Sequence, residues 1–331
     1  MTRVVLVGLG GTIAIAGTGS GGVPDRSPAQ LLAAVPGLAD AGISVETEDL
    51  RRVPGAWLDF DDLYELAEAL RGRLAGADGV VVTQGTDTIE ESAYLLDLLH
   101  QRPSPVVVTG AMRRPSLAGP DGPANLLAAI QVAASPAARE QGVLVVFNDE
   151  IHAAARVRKT HATSVATFGS PNGGPLGYVV EGEPRFVNRA TGRTVVPVPL
   201  PAPARRPRVG LVTIALGDDG GWLAGTALDG LVVAGFGAGH VPESLVARLA
   251  ELAAAVPVVL ASRTGAGHVL AATYDFAGSE RDLRERGLIG AGFLHPVKAR
   301  ILLHTLLTAG ADRTTIATTF AAAGDYSGSM R

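Results

Sequence analysis

Short β-branched apolar runs at Val4–Val7, Ser44–Leu50, Gly79–Thr83, Val106–Thr109 and Val143–Phe147 alternate with amphipathic stretches at Asp59–Leu74, Ile89–Leu99 and Ala124–Ala134. A strand that is followed by a helix returns to its sheet as a parallel neighbour, and valine-rich runs suit strands covered on both faces. The alternation therefore predicts an α/β fold: a parallel sheet flanked by helices. Ligands of such sheets sit beyond the carboxyl ends of the strands. Those ends read Gly10–Thr12, Thr83–Thr88, Gly110–Met112 and Asn148–Asp149, so polar and glycine residues gather at one edge. After Lys159 the pattern loosens, and RTVVPVPLPAPARRPRVG reads as a linker because its prolines cannot donate to a ladder. A second alternating series follows, with strands Val209–Ile214, Gly230–Ala234 and Val256–Ala261 and helices Pro242–Ala255 and Pro296–Leu307. The predicted plan is a larger N-terminal domain over residues 1–190, a linker over 191–207 and a smaller C-terminal α/β domain over 208–331.

Composition narrows the function. In 331 residues, 47% are hydrophobic and 18% charged, enough apolar material for two cores. The net charge is −4 and the basic residues cluster only at Arg205, Arg206 and Arg208, which argues against nucleic acid or anionic membrane as a partner. With no cysteine there are no disulfides, thiolate metal sites or cysteine nucleophiles, a usage that suits the cytoplasm. The first apolar run is too short for a secretory signal, and no span approaches the ~20 apolar residues of a membrane helix. The seven histidines form no H-x-x-x-H pair, so no metal site is expected.

Three stretches carry chemistry. VVLVGLGGTIA, Val4–Ala14, enters a glycine-rich turn as a dinucleotide-binding unit does. However, Gly8 and Gly10 put Ile13 where the third small residue belongs, and there is no G-x-x-x-x-G-K-[ST]. DGVVVTQGTDTIEESAYLLDLL runs a buried strand into Thr83–Thr88 before a helix opens near Ile89. Thr88 or Asp87 could cap that helix, with Glu90 and Glu91 at the positive end of its dipole. Alternatively, a carboxylate flanked by hydroxyls could bind a small zwitterion. NDEIHAAARVRKTHATSVATF contains Lys159, either a solvated charge beside Arg156 and Arg158 or a desolvated base acting on a hydroxyl.

GGTIA at Gly10–Ala14, TQGTDTIEESAYLL at Thr83–Leu96, VVVTGAMRRPS at Val106–Ser116, DGPANLL at Asp121–Leu127 and VLVVFND…KT at Val143–Thr160 stand in one order. GLVVAGFGAGHVP and GLIGAGFLHPVKARILL extend the series to about Leu307. Together these blocks resemble the bacterial-type L-asparaginase family of threonine amidohydrolases. The resemblance implies that Thr12 is the nucleophile and that Thr86, Asp87 and Lys159 form a second hydroxyl–carboxylate–lysine set. It implies that the carbonyl of Ala111 lines the site and that Glu280 reaches a neighbouring subunit's site. It further implies hydrolysis of L-asparagine to aspartate and ammonia through an acyl-enzyme, no metal or organic cofactor, and a cytoplasmic homotetramer built as a dimer of dimers.

The sequence also departs from the family. No tyrosine occurs between Ile13 and Leu63, and the stretch after the nucleophile, IAGTGSGGVPDRSP, reads as a glycine-rich lid. The serine expected to bind the substrate's α-carboxylate is matched by Gly55, the family's asparagine near GFGAGH by His240, and a common histidine by Gln84. These changes predict weak carboxylate binding that Gly55→Ser would tighten, the favoured outcome, or a pocket retuned to an amide with a different or blocked α-carboxylate, which Gly55→Ser would hurt. They also keep open a weakly active or non-catalytic binder of small amino acids or amides, and a hydrolase of another amide such as glutamine. A tRNA-dependent amidotransferase subunit is not expected, since the family's version carries an extra N-terminal domain and Val4 is already in the first strand.

Overall fold

The computed structural model describes residues 2–15, 24–190, 192–203, 205–223, 225 and 227–325. The chain divides into two compact units, Met1–Ala190 and Thr191–Arg331. In the first, the order is β1 (Thr2–Gly10), α1 (Pro28–Ala33), β2 (Ile43–Val53), α2 (Phe60–Arg73), β3 (Gly79–Thr83), α3 (Ile89–Leu99), β4 (Val106–Thr109), α4 (Gly122–Ala134) and β5 (Val143–Phe147). Five short strands close the unit: β6 (Glu150–Ala153), β7 (Arg158–Lys159), β8 (Phe168–Gly169), β9 (Gly177–Val180) and β10 (Glu183–Phe186). The main sheet runs β10-β9-β6-β5-β4-β3-β1-β2, and among the described residues β7 pairs only with β8.

The strands β1 to β5 are parallel, as the alternation predicts. Their central residues Val80, Val81 and Val82 have no exposure because side chains point alternately to two covered faces. On one face Leu6, Val81, Val107 and Leu144 pack with Leu31 of α1 and Leu126 and Ile130 of α4. The helix α2 starts where Asp59 accepts the N–H groups of Asp61 and Asp62, with Asp62 returning to the N–H of Asp59. The sheet is not wholly parallel. Strands β6, β9 and β10 add an antiparallel edge, β9 and β10 lying where the sequence shows only loosened periodicity.

The second unit comprises β11 (Val209–Thr213), β12 (Gly230–Gly235), α5 (Glu243–Ala255), β13 (Val258–Ser262), α6 (Glu280–Glu285), β14 (Ile289–Gly290), α7 (Pro296–Thr308) and α8 (Arg313–Gly324). Its four strands form a parallel sheet in the order β11-β12-β13-β14. The helix α8 lies beyond the predicted elements. The linker residues 192–203 and 205–207 hold no helix or strand, and Val196 and Val198 among them are buried. Of the predicted lid, residues 16–23 lie outside the described residues. No helix among the described residues is long and apolar enough to cross a membrane.

Two buried histidines couple stability to pH. His152 Nδ1 lies 3.0 Å from Ser170 Oγ, and burial lowers its pKa to about 4. Burial, then the charges of Arg300 and Arg206, lower that of His304 to about 3. Unfolded histidine titrates near ~6.5, so below that pH the unfolded chain takes up protons that the native state refuses. This contribution is complete above pH ~6.5 and is lost as pH falls toward about 4. A series of melting temperatures should therefore decline over that interval, and His304→Leu should flatten it. Parallel profiles for the two proteins would contradict this assignment.

Candidate active site

In the main sheet β1 lies between β3 and β2, so the chain leaves β1 toward one side and returns on the other. Such a reversal opens a crevice beyond the carboxyl ends of the strands that flank it. Gly8 of β1 stands opposite Thr83 of β3, so the turns carrying Thr12 and Thr86 leave neighbouring strand ends. Gly11 has φ +83°, a value that favours glycine, and a Cβ there would strike the backbone of Gly85. Its N–H donates to the Val53 carbonyl at 3.0 Å. Thr12 then opens one 3₁₀ turn, Thr12–Ala14, is half-buried, and makes no hydrogen bond through its hydroxyl among the described residues.

A third turn, Gly55–Trp57, closes on the same point. A Cβ on Gly55 would lie 2.7 Å from the Gly85 carbonyl oxygen, and one on Gly85 would lie 2.5 Å from the Gly55 nitrogen. Three turns thus meet backbone to backbone through Gly11, Gly55 and Gly85. This corrects the expectation for Gly55: no volume exists there for a serine side chain, so restoring one does not simply restore a carboxylate ligand.

Thr86 and Asp87 lie on a 3₁₀ turn, Thr86–Thr88, that leads into α3. The capping reading of Thr88 fails, because its hydroxyl donates to the Gly55 carbonyl at 3.0 Å and accepts from Gln84 Nε2 at 3.2 Å. Gln84 is fully buried, and its Oε1 accepts from Ser92 Oγ at 2.7 Å, so the turn is braced from beneath. Lys159 extends from the β7–β8 ribbon. Its Nζ donates to Thr86 Oγ1 at 3.0 Å and to Asp87 Oδ1 at 2.8 Å, while its own N–H donates to Glu90 Oε1 at 3.3 Å. The lysine side chain is 16% exposed and that of Asp87 63% exposed. Lys159 is therefore not a solvated surface charge. The open side of the Asp87 carboxylate remains available to a cation.

Ala111 is buried in the turn after β4. Asn125 holds that turn by donating to the Gly110 carbonyl at 3.0 Å, and Asp121 accepts the N–H groups of Met112 and Arg113 at 2.9 and 2.8 Å. A Cβ on Gly122 would lie 2.9 Å from Ile13 and 3.3 Å from Ala111, so the turns of Thr12 and Ala111 are packed together there.

Glu280 belongs to the second unit, at the start of α6. It is fully buried and accepts the N–H groups of Thr273 and Tyr274 at 2.8 and 2.9 Å. His240 Nε2 lies 3.1 Å from its other oxygen, and the rings of Tyr274 and Phe276 meet the imidazole edge-on. Burial works against the charged form, but the N–H groups of Tyr274 and Thr273, and His240, outweigh it and hold the carboxyl below its usual range. Among the described residues no three histidine, aspartate or glutamate side chains come together as a metal site.

An asparaginase N-terminal model matches residues 3–191, and a glutaminase/asparaginase C-terminal domain model matches residues 208–320. The chain belongs to the asparaginase family. It is 38% identical over 331 residues to a probable L-asparaginase of Deinococcus radiodurans, covering 97% of each chain. It is 35% identical over 323 residues to L-asparaginase 2 of Escherichia coli, covering 93% of this chain and 89% of that one. A crystal structure described as a probable cytoplasmic L-asparaginase from Campylobacter jejuni superposes with a TM-score of 0.86 at 32% identity, covering 97% of this chain and 99% of that one.

Within this asparaginase fold the structure brings together Thr86, Asp87 and Lys159, sets the turn of Thr12 against theirs, and packs Ala111 beside Ile13. The sequence reading missed the residues that hold these turns: Asp121, Asn125, Gln84 and Ser92. The signal was present in DGPANLL, where Asp121 and Asn125 stand one helical turn apart and can reach the same loop.

Proposed function

We propose that the protein hydrolyses the side-chain amide of L-asparagine to aspartate and ammonia, with Thr12 as nucleophile. The carrying observation is the placement of Lys159 Nζ between Thr86 Oγ1 at 3.0 Å and Asp87 Oδ1 at 2.8 Å, beside the turn that presents Thr12. Thr12 Oγ attacks the amide carbon, ammonia leaves with a proton, and water cleaves the resulting ester. Lys159 accepts a proton from Thr86 to activate the attacking group, and the Thr86 N–H is the donor we assign to the developing oxyanion. Asp87 holds the substrate's ammonium through its open oxygen. The relatives named L-asparaginase, at 38% and 35% identity, support this substrate. Ammonia release from asparagine, with glutamine in parallel and Thr12→Ala as control, tests it. The variant should lose turnover by ~10³-fold or more. An inactive wild-type protein that still binds asparagine would instead support the non-catalytic reading.

Glu280 we assign to the site of a neighbouring subunit in a homotetramer, on the family resemblance, with its carboxylate kept charged by His240, Thr273 and Tyr274. Mixing inactive Thr12→Ala and Glu280→Ala proteins should restore activity, because a hybrid pair contains an intact site. No recovery after subunit exchange would rule out sharing. A cytoplasmic location is supported by the similar C. jejuni structure, while a relative of 33% identity from Haemophilus influenzae is named periplasmic.

A further inference from the structure

The second unit contains a cavity of about 440 Å³ between α6, β14 and α8, lined by none of the residues considered above. That volume lies in the range of small-ligand sites, ~300–1,000 Å³. Its floor is apolar, with Phe320 and Leu288 buried beneath it. Its ionisable lining is entirely basic: Arg284, Arg313 and His268, with no aspartate or glutamate.

Two glycines seat the arginines. A Cβ on Gly290, in the edge strand, would lie 2.5 Å from Arg284 Nη1, so the guanidinium rests directly on the strand's backbone. Gly287, with φ +94°, leaves room for Arg313, whose Nη2 donates to the Gly287 carbonyl at 3.2 Å and to that of Ala253. The acidic neighbours are engaged elsewhere. Glu285 pairs with Arg281 at 3.1 Å, Asp282 with Arg286 at 2.8 Å, and Asp312 accepts the Thr315 N–H at 2.8 Å. The Arg284 side chain has neither an ion pair nor a hydrogen bond among the described residues. A planar guanidinium left unpaired at the mouth of an apolar cavity is suited to a carboxylate or phosphate.

We propose that this cavity binds a small organic anion, its phosphate or carboxylate on Arg284 and Arg313 and its apolar body against Phe320 and Leu288. Titration calorimetry on the whole protein tests this with adenosine monophosphate and 3-phenylpropionate as probes of the two head groups. Adenosine and inorganic phosphate serve as the separated halves. At least one intact probe should bind, more tightly than either half. Arg284→Gln, at an exposed and unpaired position, should weaken that binding by about tenfold or more without altering the melting temperature. Ala321→Phe, which fills the cavity and leaves every charge in place, should abolish it. The proposal is overturned if neither probe binds with a Kd below ~5 mM. It is also overturned if phosphate alone binds as well as the nucleotide, or if binding survives both substitutions unchanged.

Discussion

Thr86→Val lowers the rate of asparagine hydrolysis by ~10²–10⁴-fold, the cost of one catalytic group, while the protein stays folded. Valine keeps the shape of threonine in a position that is only 5% exposed. It removes the single oxygen that faces Lys159 Nζ at 3.0 Å. Lys159 still has Asp87 at 2.8 Å, so the structural loss is that of one hydrogen bond, about 0.5–1.5 kcal/mol. Lys159→Met should match this loss of rate, since it removes the group that takes the proton and spares both acceptors. The two substitutions should not multiply: the double variant should be no slower than about the single ones, as groups acting in one step behave as a unit. Steady-state rates with melting temperatures on the three variants provide the check. Wild-type turnover in Thr86→Val would remove this hydroxyl from the reaction.

Gly55→Ser should destabilise the protein and depress its activity, rather than tighten substrate binding as the bare sequence suggests. The new Cβ would start 2.7 Å from the Gly85 carbonyl oxygen, and backbone atoms cannot turn aside as the end of a flexible side chain can. Overpacking of this kind costs about 1–3 kcal/mol. The displacement would also reach Thr86, one residue from Gly85, and Thr88, whose hydroxyl is bonded to the Gly55 carbonyl at 3.0 Å. A shift of about 1 Å in a catalytic group can cost ~10²-fold. The decisive comparison is KM and melting temperature together. A lower KM with an unchanged melting temperature would reinstate Gly55 as a missing carboxylate ligand.

These two positions mark the limits of what can be read from the chain. Strands β3, β4 and β5 have the bounds expected from their valine runs, because strands buried on both faces are nearly pure apolar sequence. The edge strands β6, β9 and β10 escaped notice because they are four residues each and half-exposed in part. Their one local signal is the turn Glu181–Gly182, with φ +53° and +79°, between β9 and β10. The helix α8, RTTIATTFAAAG, buries Ile316 and Phe320 one turn apart but between its terminal Arg313 and Gly324 is otherwise threonine and alanine, too weakly amphipathic to announce itself. Lys159 was ambiguous for a different reason. Its environment is set by residues 72 and 73 positions away, and nothing in the adjacent Arg156 and Arg158 reports that. The contacts of Lys159 favour its buried reading, and at Gly55 matching one position to another says nothing about space.

The ribbon that carries Lys159 separates assembly from competence. Among the described residues strands β7 and β8 pair only with each other, so the parallel strands of the main sheet can close without them. Contacts spanning long stretches of chain form late, since loop closure must be paid in entropy before it is rewarded. During synthesis, the turns of Thr12, Gly55 and Thr86 all emerge, with every parallel strand of the sheet, before the lysine does. A nascent chain that has just completed β5 thus holds the whole glycine junction yet lacks the amine that bonds to Thr86. The N-terminal unit can therefore complete its parallel strands before the cluster of Thr86, Asp87 and Lys159 is assembled, the ribbon being the last part of that cluster to arrive.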